Sequence, residues 1–211
     1  AFQPFPGATT YSTTVLGGSG YFDGTGDYLS VAGMGSASGS VTVEGWMYHT
    51  AISSGGYNTV FSVNGVNCTM QYTGAGGTLC MYVGAGSGSG ELGYVPSTSL
   101  MNQWVHFAVV RSGTSWALFI NGTRVTTATN STNVVFGTNF YIGNTTGTSY
   151  PMLGYVADFQ VTIGTAKYSP SSTTITIPTA PLSASGVTFS GAMTNAGIFD
   201  AATMNDLETV G

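Results

Sequence analysis

Residues 104–125 read WVHFAVVRSGTSWALFINGTRV, and this pattern admits one good fold. Trp104, His106, Ala108 and Val110 alternate with Val105, Phe107 and Val109, and after the break at Arg111-Ser112-Gly113-Thr114-Ser115 the run Trp116 to Ile120 is again β-branched and aromatic. That is a hairpin. Asn121-Gly122 tolerates two successive positive φ values, so the chain turns once more into residues 123–127. Three consecutive antiparallel strands result. Both faces of the first two are largely apolar, which predicts a place in the middle of a sheet covered on both sides. Trp104, at the head of this spine, is expected to be buried, and its truncation to cost about 3–5 kcal/mol.

Working outward, the same alternation recurs along the chain. Residues 20–22 and 27–31 flank Asp23-Gly24-Thr25-Gly26 as strand, tight turn, strand. Residues 41–48 alternate Val41, Val43, Gly45 and Met47 with Thr42, Glu44, Trp46 and Tyr48. Residues 59–63, 69–72, 79–83, 140–143 and 154–163 continue at the spacing of a sandwich or jelly roll, and Pro170, Pro178 and Pro181 mark the end of regular pairing. Residues 1–19 read as an extended arm and 20–182 as one sandwich. The fold class is all-β, with one large domain in 211 residues.

Composition excludes several functions. The net charge is −5 and the basic residues are Arg111, Arg124 and Lys167, so the chain cannot neutralise a run of phosphates and nucleic acid is not a partner. No apolar run approaches the roughly 18 residues of a membrane span, and there is no basic-then-apolar signal segment. With 5% charged residues and 32 glycines, the exterior must be built of Ser, Thr, Asn and Gly. A weakly charged surface gives little protection against association. That suits an external assembly of sister subunits, although an ordinary secreted domain would share the composition. Cys68 and Cys80 flank Gly74-Ala75-Gly76-Gly77, where they either pair across a hairpin or sit as small buried hydrophobes.

Five motifs carry a family resemblance. Tyr21-Phe22-Asp23-Gly24-Thr25-Gly26-Asp27-Tyr28-Leu29, the strand with Trp46, Trp104-Val105-His106-Phe107-Ala108, Phe119-Ile120-Asn121-Gly122, and Tyr141-Ile142-Gly143 followed by Gly154-Tyr155-Val156-Ala157-Asp158-Phe159 stand in one order. Together they resemble the laminin-G-like, concanavalin-A-like lectin/glucanase superfamily. Gly164-Thr165-Ala166-Lys167-Tyr168 is most similar to the version in structural proteins of marine tailed phages; related modules occur in secreted bacterial adhesins. The resemblance implies a jelly roll of two antiparallel sheets and a role from sugar binding to pure assembly. It also implies that the family's opening piece stands at the end of the chain, so that 183–211, and within it 187–210, is expected to form β-structure against an edge near residues 11–22, in its own or a neighbouring sandwich.

For chemistry, glycoside hydrolysis needs two carboxyl groups flanking the scissile bond, and Glu44 stands alone on its strand. His49 and His106 lack a nucleophile partner, so both read as structural and the chain as no enzyme. Calcium is the metal such loops could hold. Its candidates are Asp23, which shares with Asp27 a turn where Asp also bonds its own backbone, and Asp158, at the position where the resemblance implies an acidic ligand, with Ala157 where its usual acidic neighbour would be. Sugar binding would use loop aromatics and amides, namely Tyr57, Tyr94, Asn144 and Tyr150. The expectation is a non-catalytic, lectin-like module of a virion surface (capsid decoration, tail or fibre) that also binds host glycans, with a secreted adhesin or carbohydrate-binding module as the alternative.

Overall fold

The computed structural model describes residues 19–179 apart from 32–33, 35, 38, 64–67, 75–76, 84–90, 137–138 and 146–148. The expected arm at 1–18 and the expected strand segment at 183–211 lie outside the described residues. Within them the chain is strand and turn, and no helix is long and apolar enough to cross a membrane.

In chain order the strands are β1 (Gly20–Asp23), β2 (Leu29–Val31), β3 (Ser36–Ala37), β4 (Ser40–His49), β5 (Tyr57–Val63), β6 (Cys68–Thr73), β7 (Leu79–Val83), β8 (Leu92–Tyr94), β9 (Val105–Ser112), β10 (Ser115–Ile120), β11 (Thr123–Thr129), β12 (Val134–Val135), β13 (Phe140–Ile142) and β14 (Leu153–Ile163). Two antiparallel six-stranded sheets, ordered β1-β14-β4-β9-β10-β11 and β2-β13-β5-β6-β7-β8, form the sandwich, with β12 and β3 as a small third pair. The spine is as read from sequence: β9 and β10 are central, joined through Ser112↔Ser115. Asn121 and Gly122 take φ of 46° and 78° at the turn into β11.

The core lies between the sheets. Phe61 of β5 sits 6.3 Å from Phe107 of β9 and 5.7 Å from Phe140 of β13, all fully or nearly fully buried. Phe159 joins them because β14 carries a bulge: Ala157 pairs with Trp46 and the next pair is Gln160 with Glu44. Asp158, at φ 48°, turns the chain there. Opposite the bulge stands Gly45, where a Cβ would come within 3.1 Å of the Phe159 Cα. The glycine in the 41–48 alternation therefore makes room for the bulge.

The outer face of the first sheet is covered by the chain itself. Residues 164–179 cross it as a strap. Lys167 N–H donates to Thr42 Oγ1 at 3.0 Å, Arg124 N–H to Thr173 O at 2.9 Å and Ile175 N–H to Gly122 O at 2.8 Å. Ala166, Tyr168 and Ile175 pack on Ala108, Val110, Ala117 and Phe119, which explains why both faces of β9 and β10 are apolar.

One expectation needs correction. Trp104 is not in the core: it stands half-buried on the outer face with Trp46, Ala157 and Ile177. Trp104→Ala should accordingly cost about 1–2 kcal/mol in equilibrium unfolding rather than 3–5. Of the two readings left open for the cysteines the structure takes the second: Cys80 is a buried free thiol, and on the backbone Cys68 pairs with Val83 and Cys80 with Gln71, three residues out of register.

Candidate functional site

Of the aromatics expected to meet sugar, the fold brings Tyr57 and Tyr150 together. Tyr57 opens β5 and Tyr150 precedes β14; their rings meet edge to face, centroids 5.1 Å apart. Tyr150 is 42% exposed and sits at φ 54°, a left-handed conformation that a bulky side chain rarely adopts. Such strain persists only where the surroundings hold it. Here the Tyr150 carbonyl accepts from Thr59 N–H at 3.3 Å, and its ring lies against Gly55, where a Cβ would be 3.3 Å away.

Both flanking loops are braced from within. Asn58, fully buried, accepts from Ser53 N–H through Oδ1 at 3.0 Å and donates through Nδ2 to Ala51 O at 2.6 Å. The same amide faces His49 Nδ1 at 3.2 Å, and His49 stacks on Tyr72 with centroids 5.0 Å apart. On the other side, Asn144 Oδ1 accepts from Ser149 N–H at 3.0 Å, Thr145 donates to Ser149 O, and Ser62 Oγ donates to Thr145 O at 2.6 Å. Asn144 is fully buried. It positions Tyr150 instead of offering its amide to a ligand, which corrects its expected role. Tyr94 also falls elsewhere: it lies half-buried on β8, paired with Leu79 and packed on the core.

Tyr82 stands on the same sheet but away from this corner: it pairs with Thr69, which pairs with Ser62, five residues along β5 from Tyr57. Burial, with Cys80 and Tyr57, pushes its phenol up to about 12. The corner thus offers an exposed ring and a second ring set edge to face against it.

The expected calcium ligands do not converge. Asp23 pairs with Leu153 at the end of β1, while Asp158 is five residues further along β14. Asp23 accepts from the Thr25 hydroxyl and backbone N–H, which hold its carboxyl below the usual range. Among the described residues no three His, Cys, Asp or Glu side chains cluster as metal ligands.

Glu44 is fully buried under the strap, with Lys167 Nζ on Oε1 and the Tyr168 hydroxyl on Oε2 at 2.8 Å. His106 Nε2 lies 3.9 Å from the same Oε2. A carboxylate so enclosed fastens the strap to the sheet and has no access to a glycosidic oxygen. The three basic side chains are likewise engaged: Arg111 is buried and donates to Gly113 O, Arg124 donates to Pro170 O, and Lys167 holds Glu44 and Gln160.

A family model described as the concanavalin A-like lectin/glucanases superfamily matches residues 23–167. Domains LG4-5 of the mouse laminin alpha1 chain share 16% identity and a TM-score of 0.54 over 68% of this chain and 40% of that one, so the chain spans less than half of that relative. A heptameric SAP-like pentraxin from Limulus polyphemus gives 21% identity and a TM-score of 0.53 over 67% of this chain and 73% of that one. Domain 4 of AbnA, an extracellular arabinanase from Geobacillus stearothermophilus in complex with arabinotriose, gives 17% and 0.54 over 81% of this chain and 77% of that one. No curated protein matches the sequence. At these identities the likeness to the three structures is one of fold.

Proposed function

Because the chain belongs to the concanavalin A-like lectin/glucanase superfamily, we propose that it is a non-catalytic module that binds neutral glycans through Tyr57 and Tyr150. The observation that carries this reading is the exposed, conformationally strained Tyr150 ring held against Tyr57 by braced loops. Apolar faces of sugar rings stack on aromatic rings, and the phenol hydroxyls of Tyr57 and Tyr150 are themselves hydrogen-bond partners for sugar hydroxyls. Charge selects the class of sugar: the three cations stand on β9, β11 and the strap and hold partners there, away from the start of β5 and the turn before β14 that carry the two rings, so a carboxylate, sulfate or phosphate on a ligand at this corner would find no counter-charge beside it. The arabinotriose held by the arabinanase domain is a ligand of this neutral kind.

The setting we assign is the surface of an external assembly, a virion first, where a hydroxyl-rich exterior with 5% charged residues packs against sister subunits or other virion proteins and attaches to host surface glycans. A secreted adhesin or carbohydrate-binding module would use the same corner in the same way. Binding is expected to survive removal of divalent cations, since among the described residues no group of three metal-ligating side chains underlies the Tyr57 and Tyr150 corner.

The test is a titration against a library of neutral and anionic oligosaccharides, arabinotriose among them, with wild type and Tyr150→Gly. Neutral members should bind, with affinity reduced at least about tenfold by the variant. Its melting temperature should hold or rise, because glycine relieves the left-handed strain. Binding confined to anionic glycans, or unchanged in Tyr150→Gly, would overturn the assignment.

A further inference from the structure

The strap holds to its sheet lightly. Among residues 164–179 only Pro170 is buried, and one isolated bridge, Thr123 with Thr174, ties the segment to β11. It is held further by the apolar side chains of Ala166, Tyr168, Ile175 and Ile177 and by its bonds to Thr42, Glu44, Gly122 and Arg124. Few buried apolar contacts and an exposed backbone place a segment at the low end of a fold's local stabilities. Beneath the strap lies His106. It shares the outer face of β9 with Ala108 and Val110, pairs with Trp46 of β4 and is fully buried, its ring edge to face with Trp46 at 5.3 Å. Neither ring nitrogen has a hydrogen-bond partner among the described residues. A neutral ring therefore keeps one N–H and one lone pair unsatisfied and away from water, a cost that opening the strap would remove. The charged and titratable groups that face it are Glu44 from β4, with Oε2 3.9 Å from Nε2, and Lys167 and Tyr168 from the strap, both bonded to that carboxyl; β10 and its turn present the uncharged Asn121.

We propose that the strap is an acid-released latch: on mild acidification residues 164–179 lift from the outer face of the first sheet while the sandwich beneath stays folded, uncovering Ala108, Val110, Ala117 and Phe119. Both forces that keep the His106 ring neutral come from the strap. Burial and the Lys167 ammonium lower its imidazole to about 4 from an ordinary 6.5. Lifting the strap admits water and carries Lys167 away, whereas Glu44 stays on β4 beside the ring and favours the imidazolium. The open form therefore takes up a proton that the closed form refuses. Closure is complete above pH 6.5 and weakens as pH falls toward 4, and between pH 7 and pH 5 the open fraction rises about twentyfold. His49 takes no part, because it stacks on Tyr72 of the opposite sheet.

The test is hydrogen exchange of the full chain, read amide by amide from pH 7 to pH 5 and corrected for intrinsic rates, in wild type, His106→Gln and His49→Gln. The amides of Lys167, Arg124 and Ile175 bond between strap and sheet. They should open more readily than those at the centre of β9, with an opening constant that rises about twentyfold from pH 7 to pH 5. His106→Gln should abolish that rise and His49→Gln should leave it in place, whereas amides that exchange only by global unfolding respond to both histidines. Strap amides that open only together with the centre of β9, a rise that is absent or survives His106→Gln, or one that vanishes in His49→Gln would overturn the latch. If His106→Gln does not fold, the His106 ring of wild type decides. Its carbon-bound protons should titrate near pH 4 alongside the exchange pattern above, and a midpoint near 6.5 would show the ring charging under a closed strap and overturn the proposal.

Discussion

Replacing Trp116 with alanine is expected to lower the stability of the fold by about 3–5 kcal/mol, the range for deleting a large buried ring. Trp116 is 1% exposed, points from β10 into the core, and its indole N–H donates to Asn130 O at 3.3 Å. The Arg111 guanidinium lies 5.2 Å from the centre of its ring and is itself 1% exposed. Removing the ring takes away the π face that faces a desolvated charge, so cavity and electrostatic losses act together. A cycle with Arg111→Met should recover part of the loss, because the methionine fills space without leaving a buried charge. Chemical denaturation of the three variants measures both terms. A Trp116→Ala shift of under about 1 kcal/mol would mean the ring is not where the fold places it.

The second large effect is acid destabilisation well above the carboxylate range. Burial lowers the imidazole of His49 to about 3, and burial together with Lys167 lowers that of His106 to about 4, from an ordinary 6.5. Below that value the unfolded chain takes up protons that the folded chain refuses, so folding stability is complete above pH 6.5 and is lost as pH falls. Each histidine contributes a slope of about 1.4 kcal/mol per pH unit, and together they remove on the order of 6 kcal/mol by pH 4, a large share of the 5–15 kcal/mol typical of a domain. His49→Gln should halve the slope between pH 6 and pH 4. Denaturation curves that are flat across this interval would contradict the burial of both rings.

Much of the fold was legible because local rules and global packing agree. The alternation of residues 104–120, the Asn121-Gly122 turn and the regular strand spacing each have one cheap solution. What escaped shares a physical cause. The strap has no period, so Pro170 and Pro178 announce the end of pairing without saying which face residues 164–179 will cover. Alternation assigns Trp104 and Trp46 to one face but not which face is the core. The cysteines missed each other by three residues, since hairpin register depends on loop conformation as well as loop length. The cluster of Tyr21, Tyr48, Trp104 and Tyr155 draws on four distant segments and exists only once the strand order is known. At the corner, sequence pointed to Tyr57 and Tyr150 as loop aromatics, and the fold sets the first half-buried at the start of β5 and the second 42% exposed before β14, yet sequence could not distinguish Asn144 the brace from an amide open to ligand.

The central claim, a lectin-like module that binds neutral sugar without cleaving it, is tested most directly by titrating the isotope-labelled chain with a neutral oligosaccharide that it binds, following amide shifts while analysing the sugar for products. The account predicts shifts at Tyr57 and Tyr150 and in the loops that brace them, with the sugar recovered intact. Shortened products, or shifts confined to the strap around Glu44 and Lys167, would contradict it.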